Sequence, residues 1–373
     1  MPRHNIAEKT LAGLDQVIKE INNDRNFRGY GNHDLVHKLG DKPAGVPVIS
    51  TGSLTLDCAL GGGLAKGRII ELYGPESSGK TSVALTAISN VQKEGGTAMF
   101  VDAEFALDAR YARRLGVVTK DLAVAQPETA EMTLDLVNKV ANSGQAGIIV
   151  IDSVAALVPQ AELEGAASDI TVGALARLMS RELRKLVAAA ANTETTVVFL
   201  NQTRDKIGGF SRFGTPKVTT GGNALNFFAS QRISVRKGEP QKYTSGENKG
   251  KTYGFKVKYK VEKNKIAAPF REAESIISYN RGINLAAEVF TVSKEYGIIS
   301  GNGGFYKISD ADYSLPRGED AVIREIEKSP ELFSLLDTRV REAMERSFED
   351  DLYSDEDGPE DADQMEGEIS PEE

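Results

Sequence analysis

The chain has 373 residues, of which 40% are hydrophobic and 7% aromatic, so it can bury the core of one large α/β domain with smaller additions, or of two or three ordinary domains. Its single cysteine, Cys58, excludes an internal disulfide and a Cys-rich zinc site. The three histidines are His4, His33 and His37, which excludes Ser-His-Asp and Cys-His catalysis in the body of the chain. No apolar run is long enough for a signal peptide or a membrane span, so we expect a cytoplasmic protein with no membrane partner.

The formal charge of −9 is unevenly distributed along the chain. Residues 349–373 hold 13 acidic residues and no basic one, which leaves 41 acidic residues against 45 Lys and Arg in residues 1–348. A mildly basic body suits a polyanionic partner, and an acidic tail often competes for the same surface. The tail is too polar to offset the entropy of ordering it, so we predict that it is disordered. It serves either as an electrostatic competitor or as a solubility appendage.

Apolar residues recur at helical spacing near the N-terminus. A helix with one apolar face is predicted within residues 7–22 by the positions of Leu11, Leu14, Val17, Ile18 and Ile21. The following residues, as far as position 47, are rich in Gly, Asn and Asp and predict a loop that separates this helix from the body. The apolar face therefore meets either a neighbouring subunit or the chain's own core, and we assign residues 1–45 to an oligomerisation segment.

Between residues 46 and 284, short apolar runs alternate with helical stretches, which indicates an α/β fold with a mainly parallel central sheet. Nearly continuous apolar runs, each followed at once by polar residues, predict strands covered on both faces at 68–73, 98–101, 147–151 and 195–200. Ligands of such sheets bind at the carboxyl ends of the strands. We therefore expect one functional crevice where these four strands end.

The rest of the chain predicts smaller units. Residues 253–264 alternate apolar and charged positions and predict a half-exposed strand. Helical patterns at 286–296, 319–327 and 331–347 predict a separate lobe. The predicted organisation is an N-terminal segment at 1–45, a core at 46–284, a C-terminal lobe at 285–348 and a tail at 349–373.

Residues 74–81 fit the phosphate-binding loop G-x-x-x-x-G-K-[ST], between a predicted strand and a predicted helix. The loop consists of Gly74, Pro75, Glu76, Ser77, Ser78, Gly79, Lys80 and Thr81. In such loops backbone N–H groups surround the β-phosphate, so Lys80 would neutralise the β and γ oxygens and the Thr81 hydroxyl would ligate Mg²⁺. A chance match among the 36 glycines is the alternative, and the flanking strand and helix argue against it.

Two carboxylates end predicted strands beside this loop. Asp152 follows the strand GIIVI, where a carboxylate can hold the Mg²⁺ shell. Glu104 follows FVDA, where it can accept a proton from a water aligned on the γ-phosphate. A kinase of small metabolites would not need such a base, so Glu104 favours hydrolysis. The alternative is an ordinary surface acid or a neighbour of a helix N-cap.

Gln202 follows the strand VVFLN, where it could hydrogen-bond the γ-phosphate. The chain then enters a long segment, 203–220, whose basic and aromatic side chains suit a nucleic-acid backbone and unstacked bases. These side chains are Arg204, Lys206, Phe210, Arg212, Phe213 and Lys217. An ordinary solvated loop is the alternative, although loops of this length inside a compact domain are usually functional or disordered. The junction with Gln202 offers a route by which nucleotide state orders a polymer-binding loop.

Together these motifs resemble the bacterial RecA recombinase family. The resemblance is carried by GPESSGKT, VDAEFALDARYARRLGV, IDSVAALVP with AELEG, TTGGNAL and KNKIAAPF, in matching order from about residue 35 to residue 304. It implies a RecA-type P-loop ATPase and DNA-binding core, a small α/β C-terminal lobe, and a protein that polymerises on single-stranded DNA with ATP and Mg²⁺. The implied activity is DNA-dependent ATP hydrolysis coupled to homologous pairing and strand exchange with duplex DNA, in recombination and repair. A self-cleaving repressor of the SOS response and loader proteins are further implied partners.

The resemblance also implies roles for residues of the ATP site. Glu104 would be the base, Asp152 the acid of the Mg²⁺ shell, and Gln202 the γ-phosphate sensor. The other implied nucleotide contacts, beyond the phosphate loop, are Ser82, Asp108 and Tyr111, the last by stacking on adenine. Two lysines, Lys263 and Lys265, would reach the ATP of the adjacent subunit.

DNA contacts are implied in the same way. The first DNA loop would lie near 164–173 and the second at 204–220. Further contacts to the DNA backbone would come from Arg177, Ser180, Arg184, Gly221, Gly222 and Asn223.

Some positions depart from the family pattern. Phe105 stands where the family has His, Asn226 replaces an interface Lys, and EGAASDITVG differs from the family's first DNA loop. These departures indicate a divergent member, and a phage origin is one hypothesis. Two other functions stay open, namely a hexameric helicase motor on the same core and a mainly scaffolding filament that presents a surface to a repressor.

Overall fold

A computed structural model describes residues 11–24, 36, 38, 45–165, 173–205, 217–243, 249–309 and 313–353. Contacts along the chain divide it into two compact units, Met1–Pro47 and Val48–Glu373. Within the described residues, no helix combines the length and apolar character needed to cross a bilayer.

In the first unit, helix α1 spans Leu11–Asn23, inside the stretch predicted to be helical apart from its last residue. Its end is fixed by Asn22, whose side-chain amide donates to Val36 O at 2.7 Å and whose Oδ1 accepts from Val36 N at 3.0 Å. Leu11 and Leu14 are more than half exposed. The proposed contact of this apolar face with a neighbouring subunit stays a prediction.

The second unit contains the remaining described elements. It begins with β1 (Val48–Ile49), α2 (Leu54–Leu60) and β2 (Leu64–Ala65). The elements of the large sheet and its flanking helices are β3 (Ile69–Gly74), α3 (Lys80–Lys93), β4 (Ala98–Asp102), α4 (Ala109–Arg114), β5 (Leu122–Ala125), α5 (Ala130–Ser143), β6 (Ile148–Asp152), α6 (Gln160–Glu164), α7 (Ala174–Thr193), β7 (Thr196–Asp205), β8 (Lys217–Thr219), α8 (Ala224–Phe228), β9 (Gln231–Lys242), β10 (Thr252–Asn264), β11 (Glu272–Ser278) and β12 (Gly282–Ile283). The chain then forms α9 (Leu285–Glu295), β13 (Ile299–Asn302), β14 (Phe305–Ile308), α10 (Glu319–Lys328) and α11 (Pro330–Tyr353).

The large sheet has the strand order β12-β11-β10-β9-β3-β7-β6-β4-β5, and β8 pairs with β7 at one side. Strands from β9 to β5 in this order are parallel, whereas β10, β11 and β12 continue the sheet antiparallel. The four predicted apolar strands are β3, β4, β6 and β7, and their apolar residues are buried because helices cover both faces. The predicted α/β class with a mainly parallel centre is confirmed.

The main core lies between the parallel strands and helices α5 and α7. Ile149, Ile151, Val197 and Phe199 are fully or almost fully buried there, and Leu183 of α7 packs on them. Strand β10 behaves as predicted from its alternation, since its apolar residues are buried and the lysines between them are exposed or half-buried.

The C-terminal lobe is built from α9, β13, β14, α10 and α11. Its core contains Val289, Phe290, Val322 and Leu336, and Leu54 of α2 belongs to the same cluster. The three predicted helices are present. Helix α11 continues to Tyr353, five residues into the predicted tail, and residues 354–373 lie outside the described part of the chain. The predicted domain boundaries stay predictions.

Glu288 of α9 ties this lobe to the large sheet. Its Oε2 accepts from Leu54 N at 2.5 Å, and its Oε1 accepts from the hydroxyls of Ser53 at 3.0 Å and Ser275 at 2.5 Å. Only 3% of Glu288 is exposed, and this burial raises the pKa of its carboxyl to about 7. The lobe is thus joined to α2 and β11 through a carboxyl group that is protonated at higher pH than an ordinary glutamate.

We expect Glu288→Gln to remove part of the pH dependence of stability. The pKa of Glu288 is 4.5 in the unfolded chain and about 7 in the folded protein, so its protonation contributes to the free energy of unfolding. This contribution is complete below pH 4.5 and is lost as the pH rises through about 7. Glutamine is neutral at every pH and keeps the hydrogen bonds, since its oxygen accepts from Leu54 N and its amide donates to the two hydroxyls. The difference in melting temperature, variant minus wild type, should grow by about 2–4 °C between about pH 5 and pH 8.

The matched control is Glu342→Gln, at an exposed position of α11. Its melting curve should follow the wild type across the same pH range. A constant difference in melting temperature between Glu288→Gln and the wild type from pH 5 to pH 8 would contradict the prediction.

Candidate functional site

The phosphate loop joins β3 to α3, and two of its glycines are required by the backbone. A Cβ at Gly74 would lie 2.0 Å from Val235 O, and Gly79 takes a φ of +101° at the N-cap of α3. With no side chain capping this helix, its first N–H groups remain directed into the loop. The loop is therefore shaped to bind an anion through backbone donors.

Lys80 lies folded against this loop. Its ammonium group donates to Pro75 O at 2.7 Å and to Gly74 O at 3.2 Å. Burial lowers the pKa of Lys80, and the charges of Asp152 and Glu104 oppose that shift. A third, longer hydrogen bond of 3.4 Å goes to Ser78 Oγ. Among the described residues the acceptors of this buried cation are thus uncharged oxygens, which phosphate oxygens can replace.

Thr81 and Asp152 form a pair of oxygen donors beside Lys80. The Thr81 hydroxyl donates to Asp152 Oδ2 at 2.8 Å. Burial raises the pKa of Asp152 to about 6 against the lowering effect of the Thr81 hydroxyl, and nearby Glu104 raises it further. Mg²⁺ prefers such hard oxygen ligands, and a bound cation would favour the ionised carboxylate, so these residues fit Mg²⁺.

Glu104 lies at the same edge of the sheet. Its Oε1 accepts hydrogen bonds from the Ser153 hydroxyl and from Gln202 Nε2, the latter at 3.2 Å. Glu104 and Ser153 follow strands β4 and β6, in which Asp102 lies opposite Asp152, whereas Gln202 lies within β7. The structure thus brings Lys80, Thr81, Asp152, Glu104 and Gln202 together, as the sequence predicted.

A pocket of about 320 Å³ opens beside these carboxylates. Its lining includes Asp108, Tyr111, Thr81 and Glu104. Tyr111 Oη lies 2.7 Å from Ser82 Oγ, and Asp108 caps α4 by accepting from Arg110 N at 2.7 Å. The residues predicted to contact adenine, Asp108 and Tyr111, therefore line the same pocket as residues of the phosphate site.

The second predicted DNA loop begins two residues after Gln202. Strand β7 runs past Gln202 and pairs with β8, with Thr203 opposite Thr219 and Asp205 opposite Lys217. Lys206, Arg212 and Phe213, together with most of the first loop at 166–172, lie outside the described residues, as does the side chain of Arg204. The described part therefore contains the root of the second loop, where 203–205 pair with 217–219, and not residues 206–216.

The remaining predicted DNA contacts surround that root. Arg177, Ser180 and Arg184 lie on one side of α7 at helical spacing, with both arginines exposed. Gly222 packs closely on the same helix, since a Cβ there would lie 2.7 Å from Ala176 Cβ. Gly221 and Asn223 adjoin it, immediately before α8.

Lys263 and Lys265 lie elsewhere. In the register of the sheet, Lys263 of β10 lies opposite Arg232 of β9, and Arg232 lies opposite Glu71 of β3. Glu71 is three residues before Gly74. At about 3.3 Å per residue, this offset places the lysine's backbone at least about 10 Å from the phosphate loop. Its ammonium donates to Asn226 O at 2.8 Å and to Phe227 O at 3.0 Å. The structure does not bring these lysines into the pocket of their own chain.

Three residues of the site received no role from sequence motifs. Arg114 lines the pocket, and Ser153 donates to Glu104. Asp102, buried at the end of β4, accepts from Ala106 N at 3.0 Å and Leu107 N at 3.2 Å, and so shapes the loop that carries Glu104. The signal for Asp102 and Ser153 was their position directly at the strand ends.

The chain has extensive similarity to known proteins. The RecA N-terminal domain family matches residues 13–284. Protein RecA of Nostoc sp. is 46% identical over 334 residues, which cover 89% of each chain. Protein RecA of Thermus thermophilus is 47% identical over 338 residues, covering 90% of this chain and 95% of the relative.

Among solved structures, the crystal structure of the RadB recombinase matches with a TM-score of 0.47 and 20% identity, over 63% of this chain and 98% of that chain. That likeness is too low to support an inference about function. The family match and the two close relatives are sufficient by themselves. The chain belongs to the RecA family, whose members are DNA-dependent ATPases that act in DNA recombination and repair.

Proposed function

We propose that the chain polymerises on single-stranded DNA with ATP and Mg²⁺ and carries out homologous pairing and strand exchange, with the site described above as its ATPase centre. The observation that carries this proposal is the hydrogen bond between Gln202 and Glu104, at the root of the β7–β8 hairpin. It connects the candidate hydrolytic base to the segment proposed to bind DNA.

The hydrolytic step uses the phosphate loop, the start of α3 and residues at the ends of β4 and β6. The backbone of the loop and Lys80 hold the phosphates, and Glu104 takes a proton from a water whose oxygen attacks the γ-phosphorus. The bond from the γ-phosphorus to the bridging oxygen breaks, and ADP leaves with that electron pair. Thr81 and Asp152 would hold Mg²⁺, which neutralises charge on the phosphates when bound.

Gln202 couples the nucleotide to DNA. In the described structure its amide donates to Glu104, and a bound γ-phosphate offers a stronger, charged acceptor for the same amide. A turn of Gln202 toward phosphate shifts β7 and its hairpin partner, and with them the loop that holds Arg204, Lys206, Arg212 and Phe213. ATP binding thereby favours one arrangement of the DNA loop.

The DNA backbone is held around this hairpin. Arg177, Ser180 and Arg184 on α7 face the same region as Gly221, Gly222 and Asn223, and we assign all six to phosphate or sugar contacts. Glycines allow the backbone N–H groups to approach a phosphate closely.

Lys263 and Lys265 act on the ATP of the adjacent subunit. Burial and the neighbouring Lys265 lower the pKa of Lys263, which shows that cations crowd at the end of β10. An anion from outside the chain would relieve that repulsion, and the γ-phosphate of a stacked copy is such an anion. A self-cleaving repressor and loader proteins remain expected partners from the resemblance.

The direct test of the proposal is strand exchange between single-stranded circles and linear duplex, with and without ATP. ATP-dependent joint molecules and DNA-length-dependent polymers in negative-stain images are expected. Closed rings without strand exchange would favour a helicase motor instead.

We expect Glu104→Gln to bind ATP and single-stranded DNA but to hydrolyse ATP about 10²- to 10⁴-fold more slowly, because the base is lost while the phosphate loop is intact. Lys80→Ala should instead weaken ATP binding. Steady-state turnover on single-stranded DNA and binding of a fluorescent ATP analogue distinguish the two. Wild-type turnover by Glu104→Gln would show that another group is the base.

We expect the triple variant Arg204→Ala, Lys206→Ala, Arg212→Ala to weaken binding to every single-stranded sequence. Each phosphate contact that is lost should lower the slope of log affinity against log salt by about 0.7. Fluorescence anisotropy from low to high salt measures this slope. An unchanged slope would place the DNA site elsewhere, and Lys139→Ala on helix α5 serves as the control for loss of a cation outside the loop.

We expect a mixture of Lys263→Ala, Lys265→Ala protein with Glu104→Gln protein to hydrolyse ATP faster than either alone. Some interfaces of the mixed polymer then combine an intact base with intact lysines. The rate is measured across mixing ratios at constant total protein. No gain at any ratio would indicate that the lysines act within their own subunit.

A further inference from the structure

Ser153 is a fixed, buried hydrogen-bond donor at the ATPase centre. It is 1% exposed and directly follows Asp152 at the end of β6. Its carbonyl oxygen accepts from Ala156 N at 3.1 Å, in the short 3-10 turn Val154–Ala156. Its hydroxyl, which donates to Glu104 Oε1, therefore projects from backbone held by both a strand and a turn.

Glu104 is the opposite kind of residue. It is exposed, and it lies on the loop after β4 with Phe105, whose φ is +56°, as its next neighbour. A glutamate side chain has three rotatable bonds, so an exposed carboxylate does not hold one orientation unless another group fixes it. A general base must lie within hydrogen-bond reach of the proton it accepts.

The two hydrogen bonds to Glu104 reach the same oxygen. Ser153 Oγ and Gln202 Nε2 both donate to Oε1, and among the hydrogen bonds between described residues none reaches Oε2. Oε2 is thus the oxygen that remains for a water molecule. The arrangement divides the carboxylate into one anchored oxygen and one that accepts a proton.

The two donors differ in mobility. Gln202 is half-buried at the root of the β7–β8 hairpin, and its hydrogen bond to Glu104 is exposed. The proposed function has its amide turn to the γ-phosphate when ATP binds. Ser153 is buried and has no comparable freedom. Once Gln202 has turned away, Ser153 is the group that still holds Glu104.

We infer that Ser153 is a positioning residue for ATP hydrolysis, whose hydroxyl orients Glu104 so that Oε2 faces the attacking water. This inference rests on the proposed role of Glu104 as the base. Ser153 itself transfers no proton. Because small misplacements of a reacting group can cost about 10²-fold in rate, loss of this anchor should be visible in turnover while substrate binding is preserved.

The test is a double-mutant cycle of the full-length chain on single-stranded DNA, with wild type, Ser153→Ala, Glu104→Gln and the double variant. Rates are measured by single-turnover hydrolysis of γ-labelled ATP, which can resolve the slow hydrolysis expected of the Glu104→Gln proteins. Ser153→Ala should lower the wild-type rate about 10- to 100-fold. In the Glu104→Gln background the same change should alter the rate by less than about twofold, because the residue through which Ser153 acts is already lost.

Binding measurements and two further variants separate positioning from damage to the fold. The affinities of Ser153→Ala for a fluorescent ATP analogue and for single-stranded DNA should equal those of the wild type. Ser153→Cys keeps a similar volume with a weaker donor and should give an intermediate rate. The matched control is Ser89→Ala in α3, since Ser89 is equally buried and its hydroxyl has no hydrogen-bond partner among the described residues. Its rate should be that of the wild type.

A wild-type rate in Ser153→Ala would overturn the inference alone. An equal loss in both backgrounds would also overturn it, because Ser153 would then act on the fold or on the substrate and not through Glu104. Wild-type turnover in Glu104→Gln would overturn the assignment of the base, and this inference with it.

Discussion

The hydrogen-bond register among β4, β6 and β7 is the constraint on which the site depends. Asp102 lies opposite Asp152, and Asp152 lies opposite Leu200, so Glu104, Ser153 and Gln202, which come next along the three segments, lie at one edge of the sheet. A slip of one residue would turn every side chain of a strand to the other face. The register is maintained by apolar side chains buried on both faces, so packing remote from the nucleotide holds Glu104 and Gln202 at hydrogen-bond distance.

A second polar network connects the base of the β7–β8 hairpin to strand β3 at the centre of the sheet. Glu71, fully buried on β3, accepts from Arg232 Nε at 2.6 Å and from Asn201 Nδ2 at 2.9 Å. Asn201 also donates to Thr220 O at 3.0 Å and accepts from Gln202 N at 2.9 Å. Removing one partner of a buried charge pair leaves an uncompensated charge, so these residues hold their positions together. The β7–β8 hairpin is therefore anchored beside Gln202, through the side chain of Asn201.

Much of the fold followed from local patterns because both strand and helix patterns were long and regular. The apolar runs at 68–73 and 147–151 became β3 and β6 with shifts of a single residue. The end of α11 was placed differently, because Glu349 is a good helix former although it belongs to the acidic run, and composition does not fix where a helix ends and a tail begins. The phosphate loop was also predicted correctly from the sequence, because the motif G-x-x-x-x-G-K-[ST] between a strand and a helix is specific for phosphate binding.

The sequence by itself determined the parallel sheet, the phosphate loop and the identity of the carboxylates at its edge, because each depends on residues that are close along the chain. Only the tertiary structure decided how those residues meet. Ser153 and Glu104 are 49 positions apart, and their hydrogen bond exists because β4 and β6 are neighbours in a particular register. The distance of Lys263 from the phosphate loop of its own chain likewise follows from the pairing of β10 with β9 and of β9 with β3. Contacts between distant segments depend on which strands pair and in what register, and that is settled by packing of the whole core.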